Sequence, residues 1–541
     1  EARARRLRVI TELVMNHSSD QHPWFQAARQ APPGSPARDF YVWHDSTSRY
    51  EDTRIIFSDT EASNWTWDPV ARAYYWHRFY HHQPDLNYDN PRVLRAMLRV
   101  MRFWLDLGVD GFRLDAIPYL IEREGTSCES LPETHAIIRQ VRRFLDTEYP
   151  GRALLAEANQ WPADVSAYFG AGDECHMAFH FPLMPRLYMA LQREDREPIV
   201  EILRQTPDIP DLCQWALFLR NHDELTLEMV TDEERESMWR AFAEDPRMRI
   251  NAGIRRRLAP LLGGDRRRVE LLTVLLLSLP GTPVVYYGDE IGMGDNIYLS
   301  DRYGVRTPMQ WTGDRNAGFS TADPQRLCAP LVMDAVFGYQ AVSVEAQERT
   351  PSSLLHWTRR MIAARQTRRT FGRGLVEFPE TGNRRVLAFT RTLGDERVLV
   401  VANLSADVQA AQIEIATGPT ESMVGPASVV GPALRARRST NVRVPVEILG
   451  GTRLPSVADG TLPVTLAPFR WYWRDLVEAS DPRARSEAAD EQRRHPLPDL
   501  LVSDRWSTVL DGPVRAILER RYLLPYLQRQ PWYRAPGAQR S

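Results

Sequence analysis

From residue 7 to about residue 370, short apolar runs alternate with stretches whose apolar positions recur every three or four residues. Residues 7–15 read as a strand that ends in Asn16-His17. Residues 91–107 read as a helix and 111–115 as the strand after it. Residues 135–147 read as a helix, and 153–157, 178–181, 215–219 and 284–287 as further strands. Strand followed by helix, repeated, implies parallel strands. The length of this region suits a (β/α)8 barrel of the TIM type with insertions.

Residues 18–90 break the rhythm. They are rich in Trp, Tyr, His, Asp and Pro and lack helical periodicity, so they read as an inserted subdomain after the third barrel strand. Residues 226–268 read as a second insertion, charged and helical. The most apolar run, 271–287, is interrupted by Ser278, Pro280, Gly281 and Pro283, which suits a buried helix end and a strand, not a membrane span. From about residue 371 the pattern shifts to short runs at 386–389, 397–402 and 412–415, the mark of an antiparallel β-domain. The domain reading is therefore a barrel over 1–17 and 91–370, the insertions 18–90 and 226–268, and a β-domain over 371–476. A solvated linker over 477–498 and a final segment, 499–541, follow.

Composition narrows the choices. Hydrophobic residues at 43% and charged residues at 26% are those of a soluble globular protein. A net charge of −2 gives no pull toward nucleic acid or a membrane surface. Cys128, Cys175, Cys213 and Cys328 form no CxxC pair, which argues against a zinc site or disulfide framework and fits a reducing cytoplasm. No segment resembling a signal peptide opens the chain.

Catalytic residues of parallel barrels gather at the carboxyl ends of strands. Here Asn16-His17 close one strand, Arg113-x-Asp115 another, Glu157 a third and Asn221-His222-Asp223 a fourth. Three carboxylates at three strand ends suit a retaining glycosidase, which needs a nucleophile and a proton donor roughly 5–5.5 Å apart. Singly, each has a plainer reading: a loop hydrogen bonder, a turn residue, a structural ion pair for Arg113. Their joint occurrence favours catalysis.

The segments ELVMNH, GFRLDAIPYL, LLAEANQW and FLRNHDE resemble the four signature regions of the α-amylase superfamily, glycoside hydrolase family 13. QPDLN, GTPVVYYGDEIGMGD and RTPMQW are similar to its oligo-1,6-glucosidase branch. NHSSDQHPWF, EREGTSCESLPETH, GDECHMAFHFPLMPR and RNHDELTLEMVTDEER resemble the trehalose synthases within it. The resemblance spans about residues 7–475. It implies Asp115 as nucleophile, Glu157 as general acid/base and Asp223 as a third acid binding sugar hydroxyls. Arg113 would orient Asp115, and His17 and His222 would donate to the glucosyl ring. Glu12 stands where many members carry Asp, which keeps the carboxylate.

The resemblance also implies a structural calcium held by Asn16, Asp85, Glu122 and the carbonyls of Tyr119 and Leu120, and no organic cofactor. A plainer alternative is that Asn16 and Asp85 only hydrogen-bond across the subdomain boundary. Positions lining the second sugar's site match Arg54, Asn159, Glu224 and Glu228, although surface salt bridges explain Glu228 almost as well. Family members carry a further segment ahead of the point where this chain begins. The chain is thus expected to lack the first two β/α units and, expressed as it stands, activity. Residues 500–530 resemble the start of a maltokinase but depart from it at Pro531-Trp532-Tyr533. They carry no phosphate-cradling loop, so no ATP binding is expected.

The implied activity is intramolecular isomerisation of maltose and trehalose with minor hydrolysis, in a cytoplasmic homo-oligomer that could associate with a maltokinase. An α-glucosidase or amylase-type hydrolase is the alternative. A catalytically dead barrel would have lost a carboxylate, and none is missing.

Overall fold

Asn90 and Pro91 start helix α1 (Pro91–Leu107). The Asn90 side chain accepts from the Arg92 N–H, and Pro91 fills a position that needs no donor. Val93, Met97, Met101 and Leu105, each four residues from the next, form its buried face with Ala96. Gly108 ends the helix at a φ of 102°, its N–H donating to the Trp104 and Leu105 carbonyls. The computed structural model describes residues 1–415, 443–454, 457, 460–478, 515, 518–523, 526 and 527. Beyond residue 478, the expected linker (477–498) and most of the expected final segment (499–541) lie outside the described residues.

Six strands follow one another in a single sheet: β1 (Ile10–Val14), β2 (Gly111–Asp115), β3 (Ala153–Ala156), β4 (Met177–Phe179), β5 (Gln214–Phe218) and β6 (Thr282–Val284). Every neighbouring pair is parallel. Helices α1, α2 (Pro132–Glu148), α3 (Leu183–Arg193) and α4 (Arg266–Ser278) run between the strands. This is the wall of a TIM-type α/β barrel, as expected, with β1 and β6 at its two edges. β2 and β3 approach closely at Gly111, where an added Cβ would lie 2.4 Å from the Ala153 carbonyl oxygen.

The β-domain is also as expected. Strands Leu375–Glu377, Val386–Leu393, Glu396–Asn403, Arg443–Glu447 and Trp471–Glu478 form an antiparallel sheet, and Gln409–Glu414 pairs with Thr461–Leu466. Val386, Leu399, Ile413 and Leu466 are part of its core. It docks on the last turn of α4, where Ser278 accepts from Trp473 Nε1 at its hydroxyl (2.7 Å) and from Arg391 Nη1 at its carbonyl (2.6 Å).

Three local expectations change. The segment 18–90 does contain a helix, Pro23–Gln30, beside a three-stranded sheet of Trp43–His44, Ala73–Trp76 and Trp65–Asp68. The helix has eight residues and buries only Phe25 and Ala28, too few to show a period. The segment 226–268 is only partly helical. Asp232–Phe242, opened by a Thr231/Glu234 capping box, adjoins a small sheet of Leu225–Thr226, Arg249–Ile250 and Gly253–Ile254. The last barrel strand stops at Val284, because the hydroxyls of Tyr286 and Tyr287 donate to the carbonyls of Val305 and Thr307.

Candidate active site

The parallel register brings the polar strand ends to one rim. Val14 lies opposite Asp115, so His17 just beyond β1 faces the end of β2. Glu157 follows β3, its N–H donating to the Leu114 carbonyl. After Asp115 the chain turns at Ala116, a non-glycine residue at a φ of 53°, a left-handed conformation that costs energy and recurs at functional sites. His17, Asp115, Glu157, His222 and Asp223 line one cavity of about 280 Å³.

Arg113 organises the floor of this cavity. Its Nη1 donates to Asp115 Oδ1 at 2.9 Å and to Glu12, and its Nη2 pairs with Glu157. Glu12 sits across the β1–β2 ladder from Arg113, so its carboxylate serves as an ion-pair partner there. Burial pushes the Glu157 carboxyl well above its ordinary range; Arg113 opposes this and the Asp115 charge adds to it. Asp115 and Glu157 share the Arg113 guanidinium, one on each terminal nitrogen. Asp223 moves the other way. Burial would raise it, but His222, Arg302, Arg306 and Arg113 together hold it below the usual carboxylate range. One carboxyl poised to carry a proton, close to another held ionised, is the division of labour that acid/base catalysis needs. Burial lowers His17 to about 4, against the opposing pull of Asp115, and lowers His222 as well, so both rings are neutral at neutral pH.

The cavity's outer wall carries the residues expected for a second sugar. Asn159, Glu224 and Glu228 line it, and Arg54 reaches Glu228 from the inserted subdomain, Nη1 to Oε2 at 3.2 Å. Asn159 Nδ2 donates to the same Glu228 oxygen at 3.2 Å. Burial raises the Glu228 carboxyl, with Arg54 opposing. Of the catalytic and sugar-binding residues named from the sequence, only Arg113 and Arg54 act from outside the lining.

Two arginines were missed. Arg306 donates to Asp223 Oδ1 at 2.7 Å and to the His222 carbonyl at 2.8 Å. Arg302 grips Glu224 with two donors, at 2.7 and 3.2 Å, approaches Asp223 Oδ1 at 3.3 Å and lies over the Phe57 ring. Its Nη1 also donates to the Tyr80 hydroxyl at 3.2 Å, tying this loop to the inserted subdomain. The signal was an Arg repeated four residues apart, ending in the RTPMQW segment.

Of the expected calcium residues, Tyr119 lines the cavity, while Asn16, Asp85, Leu120 and Glu122 lie outside its lining. Asn16, Asp85 and Glu122 are buried, and Asn16 Oδ1, Asp85 Oδ2 and Glu122 Oε1 have no hydrogen-bond partner among the described residues. Burial raises Asp85 to about 8 despite donors from Arg78 and Asn16. Burial and the nearby Asp85 raise Glu122 well above its usual value. Buried, donorless oxygens are what a hard cation relieves, so these residues fit one. Among the described residues no group of three His, Cys, Asp or Glu side chains is placed to hold a metal. The set therefore depends on the Asn16 amide and on carbonyls of the turn Ile117–Tyr119 and its successor Leu120.

A barrel with these strand-end carboxylates matches the family model for the α-amylase catalytic domain over residues 1–246 and 248–374. Residues 376–425 match that for the maltogenic amylase C-terminal domain. The chain belongs to the α-amylase superfamily, glycoside hydrolase family 13, and it is an enzyme of that family. A trehalose synthase/amylase of Mycolicibacterium smegmatis is 58% identical over 490 residues, covering 88% of this chain and 79% of the relative. A trehalose synthase of Pimelobacter is 56% identical over 490 residues, covering 88% and 82%. Within the superfamily the chain belongs to the trehalose synthase family. An isomaltulose synthase from Klebsiella shares the fold at a TM-score of 0.64 and 23% identity, covering 88% of this chain and 84% of its own.

Proposed function

We propose that the protein interconverts maltose and trehalose by an intramolecular double displacement. The observation that carries this is the pairing, in one cavity, of Asp115 and Glu157 with the polar wall of Asn159, Glu224 and Glu228. Asp115 attacks the anomeric carbon of the non-reducing glucosyl unit while Glu157 protonates the departing oxygen. A glucosyl-enzyme and a free glucose result. Asp223, held ionised by its arginines, binds the ring hydroxyls. The freed glucose, kept against the outer wall, turns and presents its anomeric hydroxyl. Glu157, now a base, takes that proton, and attack at the face the first sugar left regenerates Asp115; two inversions retain the α-configuration overall. Water entering in place of glucose gives hydrolysis, the minor branch of the same chemistry. The test is whether trehalose formed from maltose takes up labelled glucose from solution.

A structural calcium would be held by Asn16, Asp85, Glu122 and the carbonyls of Tyr119 and Leu120, neutralising the buried carboxylates. It would brace the boundary between barrel and inserted subdomain, since Asp85 bridges to His17. Chelation is expected to lower the melting temperature, with metal at 100-fold excess over its Kd restoring about 2.7 kcal/mol. An unchanged melting temperature, with no metal found by elemental analysis, would refute the site. Cys128, Cys175 and Cys213 are buried free thiols, and no helix among the described residues is long and apolar enough to cross a membrane. The free thiols support the cytoplasmic reading.

A further inference from the structure

Glu129 lies outside the cavity lining, yet it holds a guanidinium that reaches the lining residue Glu228. Its Oε1 accepts from Arg54 Nε at 2.9 Å and from Arg78 Nη2 at 2.7 Å. The Arg78 side chain is fully buried and the Glu129 side chain is 14% exposed, while the Arg54 side chain is 44% exposed.

Arg78 is fixed from several directions. Its backbone N–H donates to Asp85 Oδ1 at 3.3 Å, its Nη1 to the Arg54 carbonyl at 3.2 Å, and its guanidinium lies 4.9 Å from the Tyr119 ring centre. Arg78 is thus an anchor, and Glu129 extends that anchor by one carboxylate toward the cavity. Arg54 is the most exposed of the three. It belongs to the inserted subdomain, whereas Glu228, its partner across the mouth, follows β5 of the barrel. Nε faces Glu129 and Nη1 faces Glu228, so one planar fork is held between two carboxylates on opposite sides. An exposed ion pair alone holds a long side chain weakly, because rotamer freedom opposes it and solvent screens it. With Glu129 behind it, most of that freedom is already lost.

We propose that Glu129 is a positioning residue. It fixes the Arg54 guanidinium in its bridge to Glu228 and thereby keeps freed glucose in and water out during isomerisation. The inference rests on the isomerase reading above. Without the Glu129 charge, Arg54 swings toward solvent and the Glu228–Asn159 wall loses its cover. The chemical step at Asp115 and Glu157 is untouched, so the change falls on the fate of the glucosyl-enzyme.

The test is Glu129→Gln in the intact protein, which keeps the volume and one acceptor oxygen for Arg78. The ratio of glucose to trehalose formed from maltose should rise roughly fivefold, the size expected for one weakened charged contact. Turnover of α-glucosyl fluoride, whose leaving group needs no second-sugar site, should stay within about twofold of wild type by the same reasoning. Arg54→Ala should raise the ratio similarly, and the double variant should add nothing further, as expected of two residues acting through one contact. If Glu129→Gln does not fold, Glu129→Asp, too short to reach both guanidiniums, should show the same rise. An unchanged ratio, an additive double variant, or an equal loss on maltose and on the fluoride overturns the inference alone. A wild type that yields glucose and no trehalose overturns the isomerase reading and this inference with it.

Discussion

Asp115→Asn should abolish turnover of maltose and of trehalose alike, by about 10⁴-fold or more, as when one member of a catalytic unit is removed. That loss corresponds to about 5.5 kcal/mol of transition-state stabilisation. The side chain keeps its size and its contact with Arg113, so the fold should be spared. What disappears is the anionic oxygen that forms the bond to the anomeric carbon. Unlike Glu157, this residue has no substitute: a leaving group that departs without a proton still needs a nucleophile. The α-glucosyl fluoride should therefore be as dead a substrate as maltose. Retained activity on either, with an unchanged melting temperature, would remove Asp115 from its role.

Glu157→Gln should behave differently. Maltose turnover should fall by about 10³-fold, within the range for loss of a general acid. Fluoride needs little protonation to leave, so Asp115 should still be glucosylated. Glutamine cannot then activate water or glucose, and the intermediate should persist. The expected result is a burst of one fluoride per site and a protein heavier by one glucosyl unit. The pH dependence carries the same signature. Glu157 must hold a proton for maltose cleavage, and burial keeps its carboxyl well above the ordinary value. Wild-type activity should accordingly extend toward neutral pH and fall on the alkaline side as that proton is lost. The fluoride burst of the variant should show no such alkaline fall. An alkaline limb shared by both would assign it to another group.

Much of this site is legible in the sequence. Residues 91–107 and 111–115 were read to the residue, because Asn90-Pro91 and Gly108 punctuate one element and a short apolar run defines the other. Asp115, Glu157 and Asp223 were legible because strand ends are where a barrel puts its chemistry. The helix Pro23–Gln30 was not, since eight residues with two buried positions give no period. Tyr286 and Tyr287 were read into the last strand because β-propensity is blind to the loop carbonyls that their hydroxyls reach. Arg302 and Glu129 escaped for a related reason. Each acts through partners remote in sequence: Glu129 lies 75 residues from Arg54, and Arg302 lies 78 from Glu224. Local pattern carries no trace of such pairs.

The account stands most directly on the fate of the freed glucose. Its retention against Asn159, Glu224 and Glu228 gives it an effective concentration far above that of glucose in solution. The intact enzyme should be supplied with unlabelled maltose and isotopically labelled glucose, and the trehalose formed early should be isolated and weighed by mass spectrometry. The account predicts that this trehalose is essentially unlabelled, with a small release of glucose as the hydrolytic branch. Trehalose carrying label in proportion to the external glucose would contradict it, because the departing sugar would then exchange freely with solution.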